Sequence, residues 1–311
     1  MNAVKAPRLH SGDKIGVVAP ASNVKRELLD LGVQLLREMG YEAEYSPGIT
    51  DQDLYFAGTV ERRVAELYAM LERPDIKAIL CARGGYGSNY LLEHIDFRRF
   101  ADHPKIIMGY SDITSLLTAI TDRTGLVTFH GPMVAKDFAA MEGVGVDFSS
   151  WHNATGGIAN WAVSTEGAQT LRAGQAHGHI YGGCLSMLVA SLRTPFEIET
   201  KGSILFIEDV STKPFQIDRM LTQLRLAGKL DGVKAFVFGE MQYCTQSDGQ
   251  EYTLQEVIMR VLEKYQVPVI YGVKSGHVSG RNITLPIGAQ ATLIADATRS
   301  SLRIMEPATL P

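Results

Sequence analysis

Short apolar runs alternate with helix-like stripes along the first 130 residues. Four of the runs predict buried strands, and they occupy residues 14–19, 78–82, 105–109 and 126–129. Apolar residues recur at helical spacing within 28–39 and 60–71, which predicts two amphipathic helices. This alternation of strands and helices indicates an α/β domain in which helices cover both faces of a mostly parallel sheet.

The pattern changes in the second half of the chain. From about 139 to 165 the periodicity fades and Gly, Ser, Asn and Thr accumulate, so we expect a linker-like stretch there. Apolar runs at 203–207 and 235–238 then alternate with helical segments, and short alternating segments beyond residue 281 favour antiparallel strands. We therefore predict an N-terminal α/β domain at 1–165 and a C-terminal mixed α/β domain at 166–311.

Composition and charge narrow the class of protein. The 311 residues fit two domains at about 100–200 residues each. Lys and Arg number 30 against 34 Asp and Glu, for a net charge of -4, which excludes a general binder of nucleic acid or another polyanion. No run approaches the roughly 18 apolar residues of a membrane span, and the N-terminus lacks the apolar core of a signal peptide.

The cysteines and paired histidines give no sign of a metal site. Cys81, Cys184 and Cys244 are odd in number and far apart, so they suggest neither a disulfide framework nor a zinc cluster, and a reducing cytoplasm fits. His177 and His179 would share one face of a strand, but no third ligand lies near them in sequence. We predict no metal and no cofactor.

The candidate chemistry lies where predicted strands end, because functional residues gather at the carboxyl edge of a parallel sheet. Ser111 follows one such strand and begins a short helical stretch, so its hydroxyl can point out of the sheet beside free backbone N–H groups. Ile113 stands where the usual nucleophile elbow has Gly. A helix-capping role for Ser111 is the alternative.

An acid and a histidine follow in the second half. Glu208 ends an apolar strand, and His277 lies in a loop between Gly276 and Gly280. Serine is a weak nucleophile until a base takes its proton, and the base needs an acid to fix its tautomer, so Ser111, Glu208 and His277 could form a triad. The alternatives are a solvated strand end and a surface histidine.

The Arg-Gly-Gly-Tyr-Gly segment at 83–87 has several possible uses. It could cradle a phosphate, supply a second oxyanion donor, grip a carboxylate through Arg83, or simply be a tight turn. A non-catalytic α/β module that binds a nucleotide or sugar phosphate through this segment stays open as a hypothesis. His130, at another strand end, either lines the site or is a hydrogen-bonded structural residue.

Six motifs, taken in order, carry a family resemblance. They are Gly-Asp-Lys-Ile-Gly-Val-Val-Ala-Pro-Ala-Ser at 12–22, Ala-Arg-Gly-Gly-Tyr-Gly at 82–87, Gly-Tyr-Ser-Asp at 109–112, His-Gly-Pro-Met at 130–133, Phe-Ile-Glu-Asp at 206–209 and Gly-His at 276–277. The set resembles the LD-carboxypeptidase A family of serine peptidases over about residues 10 to 306. The best-known members are muramoyltetrapeptide carboxypeptidases of bacterial cell-wall recycling.

The resemblance implies a fold and a mechanism. It implies an N-terminal sheet of the class I glutamine-amidotransferase type, a smaller swivelling-type C-terminal domain, a site in the cleft between them and a homodimer. It makes Ser111 the nucleophile, His277 the general base and Glu208 the acid that orients it. The amides of Asp112 and of the Gly84–Gly85 turn would be the oxyanion donors. The implied reaction releases the terminal D-alanine from a murein tetrapeptide, and Arg83 is a candidate for holding the free carboxylate.

One departure and one alternative accompany the resemblance. Cys184 stands where the family usually has Asn, and a thiol cannot replace an amide as a strong donor and acceptor. The alternative is a hydrolase of the related microcin C immunity type, which opens peptidyl or aminoacyl adenylate analogues. Such an enzyme needs an aromatic residue to stack on adenine. The only tryptophans, Trp151 and Trp161, lie in the linker-like stretch.

Overall fold

The computed structural model describes residues 3–140, 144–246, 249–297 and 299–311. Within these ranges the chain forms a mixed α/β fold of two lobes, each built around its own sheet. No helix in the described part of the chain has both the length and the apolar character to cross a membrane.

The first lobe contains the parallel sheet expected from the alternating pattern. Its strands are β1 (Lys14–Val18), β2 (Glu42–Tyr45), β3 (Ile76–Cys81), β4 (Ile106–Gly109) and β5 (Thr128–His130). Its helices are α1 (Arg26–Glu38), α2 (Val60–Leu71), α3 (Arg98–Asp102) and α4 (Thr114–Thr124). The strands lie in the order β5-β4-β3-β1-β2, all parallel. α2 buries Val64, Leu67 and Leu71 of its predicted stripe. In α1 the predicted stripe was wrong, because the helix buries Leu29, Val33 and Leu36 and leaves Leu28 and Leu31 exposed.

The stretch expected to be linker-like contains regular structure. Residues 141–143 of that stretch lie outside the described residues. Beyond them the chain forms β6 (Gly145–Val146), α5 (Phe148–Thr155) and β7 (Trp161–Val163). The Asp147 side chain accepts the Ser150 N–H and caps α5, while the buried Trp151 packs edge-on against Phe138. The segment is mainly polar, so its composition did not predict a helix. One large aromatic side chain supplies much of the packing of this helix.

The rest of the second lobe is an eight-stranded sheet with helices packed against it. The remaining strands of the chain are β8 (Gln169–Arg172), β9 (Gly174–Cys184), β10 (Ser203–Glu208), β11 (Ala235–Gly239), β12 (Val269–Val273), β13 (Arg281–Asn282), β14 (Leu285–Ile287), β15 (Gln290–Ala295) and β16 (Ser300–Ile304). Of these, β13 pairs with β6 and β14 joins the first sheet. The helices are α6 (Leu185–Ala190), α7 (Pro214–Leu226) and α8 (Leu254–Val261). The sheet order is β7-β16-β15-β9-β10-β11-β12-β8, with β9 to β12 parallel and the outer strands antiparallel.

One strand ties the two lobes together. β14 leaves the second half of the chain and pairs antiparallel with β5, so that Leu285 lies opposite His130. The main hydrophobic core accordingly runs through both lobes without a break among the described residues. The loop before β14 is thereby held against the carboxyl edge of the first sheet, where the candidate nucleophile lies.

Candidate active site

Ser111 occupies a strained turn between β4 and α4. Tyr110 is extended, Ser111 then takes a φ of +63°, and a single 3₁₀ turn leads into the helix. A positive φ is unfavourable for a residue with a Cβ and is typical of functional turns. Gly109 makes the turn possible, since a Cβ there would lie 2.9 Å from Cγ2 of Ile113. The half-buried Ser111 side chain therefore projects from the carboxyl edge of the sheet.

The glycine-rich segment after β3 lies directly against Ser111. A Cβ on Gly84 would lie 2.9 Å from the Ser111 Cβ and 3.2 Å from its Oγ, so only glycine fits here without a shift. Gly85 has a φ of +107°, and the Tyr86 N–H donates to the Ser22 hydroxyl at 3.1 Å. The backbone of this turn is thus fixed beside the candidate nucleophile, as an oxyanion site requires.

Asp112 connects the turn at Ser111 to the glycine-rich segment after β3. Its carboxylate accepts the Ser88 N–H at 2.8 Å, and its backbone carbonyl accepts the Ser88 hydroxyl at 2.6 Å. Burial raises the pKa of Asp112. Arg63, a residue that the sequence analysis missed, donates from Nη1 to the carbonyls of Pro20 and Gly87 at 2.8 and 2.9 Å. A buried guanidinium thus joins the end of the glycine-rich segment to the loop after β1, and no sequence motif signals it.

Glu208 and His277 form a buried pair. The carboxylate, at the end of β10, is completely buried, and its Oε2 accepts the His277 backbone N–H at 3.0 Å and contacts its Nδ1 at 2.7 Å. Burial alone would raise the pKa of Glu208, but the imidazoles of His277 and His130 lower it to about 2. Burial alone would lower the pKa of His277, and the Glu208 charge outweighs this and raises it. The His277 imidazole is therefore oriented with Nδ1 toward Glu208, and its Nε2 faces away from that carboxylate.

Two glycines make room for this carboxylate. A Cβ on Gly276 would lie 2.6 Å from Cδ of Glu208, and one on Gly239 would lie 2.6 Å from Cβ of Glu208. Gly276 also has a φ of +89°, which favours glycine independently. The glycine that precedes His277 is thus required by the close approach of the acid as well as by the backbone turn.

One pocket gathers most of the candidate groups. A cavity of about 410 Å³ opens over Ser111, with residues of both halves of the chain in its wall. Its lining comprises Lys25, Leu28, Arg83, Gly84, Gly85, Tyr110, Ser111, Met133, Ala135, Lys136 and His277. A larger cavity of about 550 Å³ beside Asp147 and Ser300 holds none of the candidate groups. The smaller one, with three cationic side chains around a serine and a histidine, is suited to hydrolysis of a substrate that carries a carboxylate.

Family models and relatives identify the family of this chain. The LD-carboxypeptidase N-terminal domain matches residues 15–131, and the LD-carboxypeptidase C-terminal domain matches residues 177–293. The chain belongs to the LD-carboxypeptidase family. A probable murein peptide carboxypeptidase of Bacillus subtilis (strain 168) is 39% identical over 302 residues, which cover 93% of this chain and 91% of the relative. The predicted family and enzyme class, a serine-type carboxypeptidase, are confirmed.

Solved structures of LD-carboxypeptidase relatives share the fold. The muramoyltetrapeptide carboxypeptidase from Oxalobacter formigenes has a TM-score of 0.85 at 27% identity and covers 94% of this chain and 99% of its own. The wild-type apo structure of the microcin C7 self-immunity protein MccF has a TM-score of 0.89 at 27% identity and covers 99% and 100%. The two-lobed mixed α/β architecture is therefore a property of the family.

The position at which this LD-carboxypeptidase departs from the family pattern lies beside the acid. Cys184 pairs with Glu208 in the register of β9 and β10, and its N–H donates to Thr114 Oγ1 at 3.1 Å. Burial holds the pKa of the thiol well above its usual value. The side chain is thus a small neutral group. Both tryptophans are buried, and neither lines the pocket.

A series of hydrogen bonds joins the His277 loop to the first lobe of this LD-carboxypeptidase. The Gly276 N–H donates to Oδ1 of Asn282 at 2.9 Å, and the Asn282 amide donates to Oδ1 of Asp137 at 3.2 Å. Tyr110 donates its hydroxyl to the same carboxylate oxygen at 3.4 Å, and its ring meets that of His277 edge-on at 5.2 Å. Burial raises the pKa of Asp137 to about 6. Nothing in the sequence signalled Asp137 or Asn282, because their contact depends on which strands pair, here β13 with β6 and β14 with β5.

Proposed function

We propose that the protein removes the terminal D-alanine from murein tetrapeptides, with Ser111 as nucleophile, His277 as general base and Glu208 as the acid that orients it. The observation that carries the proposal is that His277, held by the buried Glu208, lines the same pocket as Ser111. Relatives named murein peptide carboxypeptidase and muramoyltetrapeptide carboxypeptidase support the choice of substrate.

The reaction follows from the roles of these groups. His277 takes the Ser111 proton as Oγ attacks the carbonyl carbon before the D-alanine, and the carbonyl oxygen becomes an oxyanion. In this proposal the N–H groups of Asp112 and of the Gly84–Gly85 turn hold that charge. His277 then returns the proton to the departing amine, D-alanine leaves, and water attacks the acyl-enzyme with the same base assisting.

Three cations around the pocket suit the free end of the substrate. A carboxypeptidase must bind the terminal carboxylate, and Lys25, Arg83 and Lys136 line the same cavity as Ser111. Arg83 donates from Nη1 to the Asn23 carbonyl at 3.2 Å, which restrains its guanidinium while leaving its other N–H groups for a carboxylate. Arg83 is accordingly the first choice for carboxylate recognition.

The similarity to MccF favours a second candidate, hydrolysis of peptidyl or aminoacyl adenylate analogues. The two activities share the nucleophile, base and acid, so the triad does not separate them. Adenine recognition needs an exposed aromatic face in the pocket. Trp151 and Trp161 are only 2% and 5% exposed and are not available for this role. The relatives named murein peptide carboxypeptidase and muramoyltetrapeptide carboxypeptidase make murein tetrapeptide the first choice.

One experiment separates the two candidates. The protein is incubated with a murein tetrapeptide, with its diastereomer that ends in L-alanine, and with an aminoacyl sulfamoyl adenosine, and the products are identified by mass spectrometry. We expect tripeptide and free D-alanine from the first substrate only. Turnover of the adenylate analogue with an intact tetrapeptide would favour the immunity-type activity, and turnover of neither would refute both.

The finer features of the fold belong to the same proposal. We propose domains at 1–165 and 166–311, the first of the class I glutamine-amidotransferase type and the second of the swivelling type, in a cytoplasmic homodimer. The lobes are joined by β14, so we expect limited proteolysis to release no stable half. Light scattering in solution tests the dimer, and a mass of 34.0 kDa would contradict it.

A further inference from the structure

A second histidine faces the free oxygen of the candidate acid. His130 Nε2 lies 3.8 Å from Oε1 of Glu208, and both side chains are completely buried. Among the described residues, neither of these two atoms has a hydrogen-bond partner. Buried polar atoms are nearly always paired, so an orphaned nitrogen that faces an orphaned carboxylate oxygen calls for an explanation.

The other side of the His130 ring fixes the position of one proton. Nδ1 lies 3.0 Å from the Ser275 hydroxyl, which is 2.7 Å from the Ile283 carbonyl. A carbonyl can only accept, so the Ser275 hydroxyl donates its proton to Ile283 and accepts one from His130 Nδ1. In a neutral ring Nε2 would then carry a lone pair that points toward a carboxylate oxygen, which is repulsive. A second proton, on Nε2, turns the same contact into an attraction.

Charge balance supplies an independent reason for that second proton. A completely buried carboxylate needs a compensating positive charge nearby. If His277 provided it, the ring would already hold its second proton at rest and could not accept one from Ser111. A cation on the other carboxylate oxygen leaves Glu208 ionised and His277 neutral, which is the state that a general base requires.

We propose that His130 is a positioning residue that rests as an imidazolium beside Glu208 and so keeps His277 free to act as a base. The inference rests on the function proposed above for His277. It assigns the buried group His130–Glu208–His277 a net charge of zero before substrate binds, with the positive charge on the ring that does not face the pocket. His130 is completely buried and lines no part of the pocket.

Other ionisable groups surround His277 and stay unchanged in the test. On the neighbouring elements these are Asp209, Asp137, Lys136, Tyr110, Arg83, Lys25 and Glu240. Asp137, with its pKa near 6, titrates in the relevant range in every variant alike. Around His130 itself the nearby side chains are Glu208, Tyr110, Phe206 and Ser275. A change confined to His130 variants therefore reports on its own charge.

Two neutral substitutions separate charge from hydrogen bonding. In His130→Gln the amide nitrogen takes the place of Nε2 and can donate to Glu208, whereas in His130→Asn it takes the place of Nδ1 and can donate to Ser275. Both remove the cation, so Glu208 draws a proton onto His277 in either variant. We expect the acid limb of the kcat/KM profile to move to higher pH by about one unit. At pH values below the limb kcat/KM should fall roughly tenfold, and above the limb it should fall less.

The matched control is His177→Asn. His177 also bonds a hydroxyl through Nδ1, at 2.8 Å to Thr292 Oγ1, but it lies on β9 outside the pocket lining. Its variant should keep the wild-type pH profile. A limb that stays in place in both His130 variants, with or without a uniform loss of kcat/KM, would overturn the proposal and leave His130 a structural residue.

A measurement on the unmutated protein keeps the inference testable if the variants do not fold. In the ¹⁵N-histidine-labelled protein, the His130 ring is assigned through its contact with Phe206, whose ring centroid is 5.1 Å away. We expect both ring nitrogens to be protonated near neutral pH, and a ring protonated only at Nδ1 would overturn the assignment. This readout needs no turnover, so an imidazolium in a protein that releases no D-alanine would refute the proposed function and leave the charge assignment standing.

Discussion

The Glu208 carboxylate holds His277 by two groups at once, since Oε2 accepts the backbone N–H at 3.0 Å and contacts the ring Nδ1 at 2.7 Å. The backbone contact fixes the position of the loop, and the ring contact fixes the tautomer. One oxygen thus determines both where the imidazole lies and which nitrogen faces the pocket. The acid therefore contributes geometry as well as charge, and the two contributions can be measured separately.

Glu208→Gln separates the two contributions. The amide oxygen can still accept one N–H, but the negative charge that raises the pKa of His277 is gone. The His277 pKa should fall, so the acid limb of the kcat/KM profile should move to lower pH, opposite to the shift expected for the His130 variants. We expect kcat to drop by about 10⁴, because the ring loses its tautomer preference. A profile that keeps its limb would contradict the role of the acid.

Ser111→Ala removes the candidate nucleophile and keeps the turn. We expect D-alanine release, followed by mass spectrometry, to drop by about 10⁶ in kcat, with an unchanged circular dichroism spectrum. Ser111→Gly should be as inactive but more stable than the alanine variant by up to about 1 kcal/mol, because glycine accepts the φ of +63° without strain. Urea unfolding compares the two variants. Retained turnover in a clean preparation of either would refute the nucleophile assignment.

The sequence predicted the parts of the site that depend on local pattern. Short apolar runs end at Ser111 and Glu208, and a parallel sheet brings such ends to one edge. The glycines around His277 indicated a loop with unusual backbone angles, and Gly276 has one. These features follow from residues that are adjacent in the chain, which is why a single sequence is enough to suggest them.

The sequence did not predict the parts that depend on long-range pairing. β14 crosses to the first sheet, and β13 just before it pairs with β6, so that Asn282 lies beside Asp137, 145 positions earlier in the chain. Arg63 reads as an exposed position of a helix, yet it is buried because two backbone carbonyls converge on it. Such contacts are fixed by which strands become neighbours, and apolar periodicity carries no information on that choice.

Gly84→Ala tests whether the glycine-rich turn must approach the nucleophile. The added Cβ would lie 2.9 Å from Cβ of Ser111, which is closer than such atoms approach, so either the turn or the serine must shift. We expect kcat for D-alanine release to fall by about 10²–10³, the effect of losing one oxyanion donor. Gly280→Ala is the matched control, because a Cβ there meets nothing within 4 Å. Equal activities for the two variants would contradict an oxyanion role for the turn.

Asp122 should make the stability of the fold depend on pH. It accepts the Tyr181 hydroxyl at 2.6 Å where α4 meets β9, and burial raises its pKa from 3.8 to about 7. The folded state therefore binds the proton more tightly than the unfolded chain does. The resulting stabilisation is complete below the unfolded pKa of 3.8 and is lost as the pH rises through about 7.

Asp122→Asn should remove that dependence. Between about pH 5 and pH 8 we expect the free energy of unfolding of the wild type to fall by about 2–3 kcal/mol more than that of the variant. Urea unfolding at the two pH values measures the difference. Asp231→Asn is the control, because Asp231 also accepts a tyrosine hydroxyl, from Tyr265 at 2.9 Å, but at the surface. If the free energy of unfolding of Asp122→Asn changed with pH as steeply as that of the wild type, the prediction would be wrong. The Asp122 carboxyl would then not be the group whose titration makes the stability depend on pH.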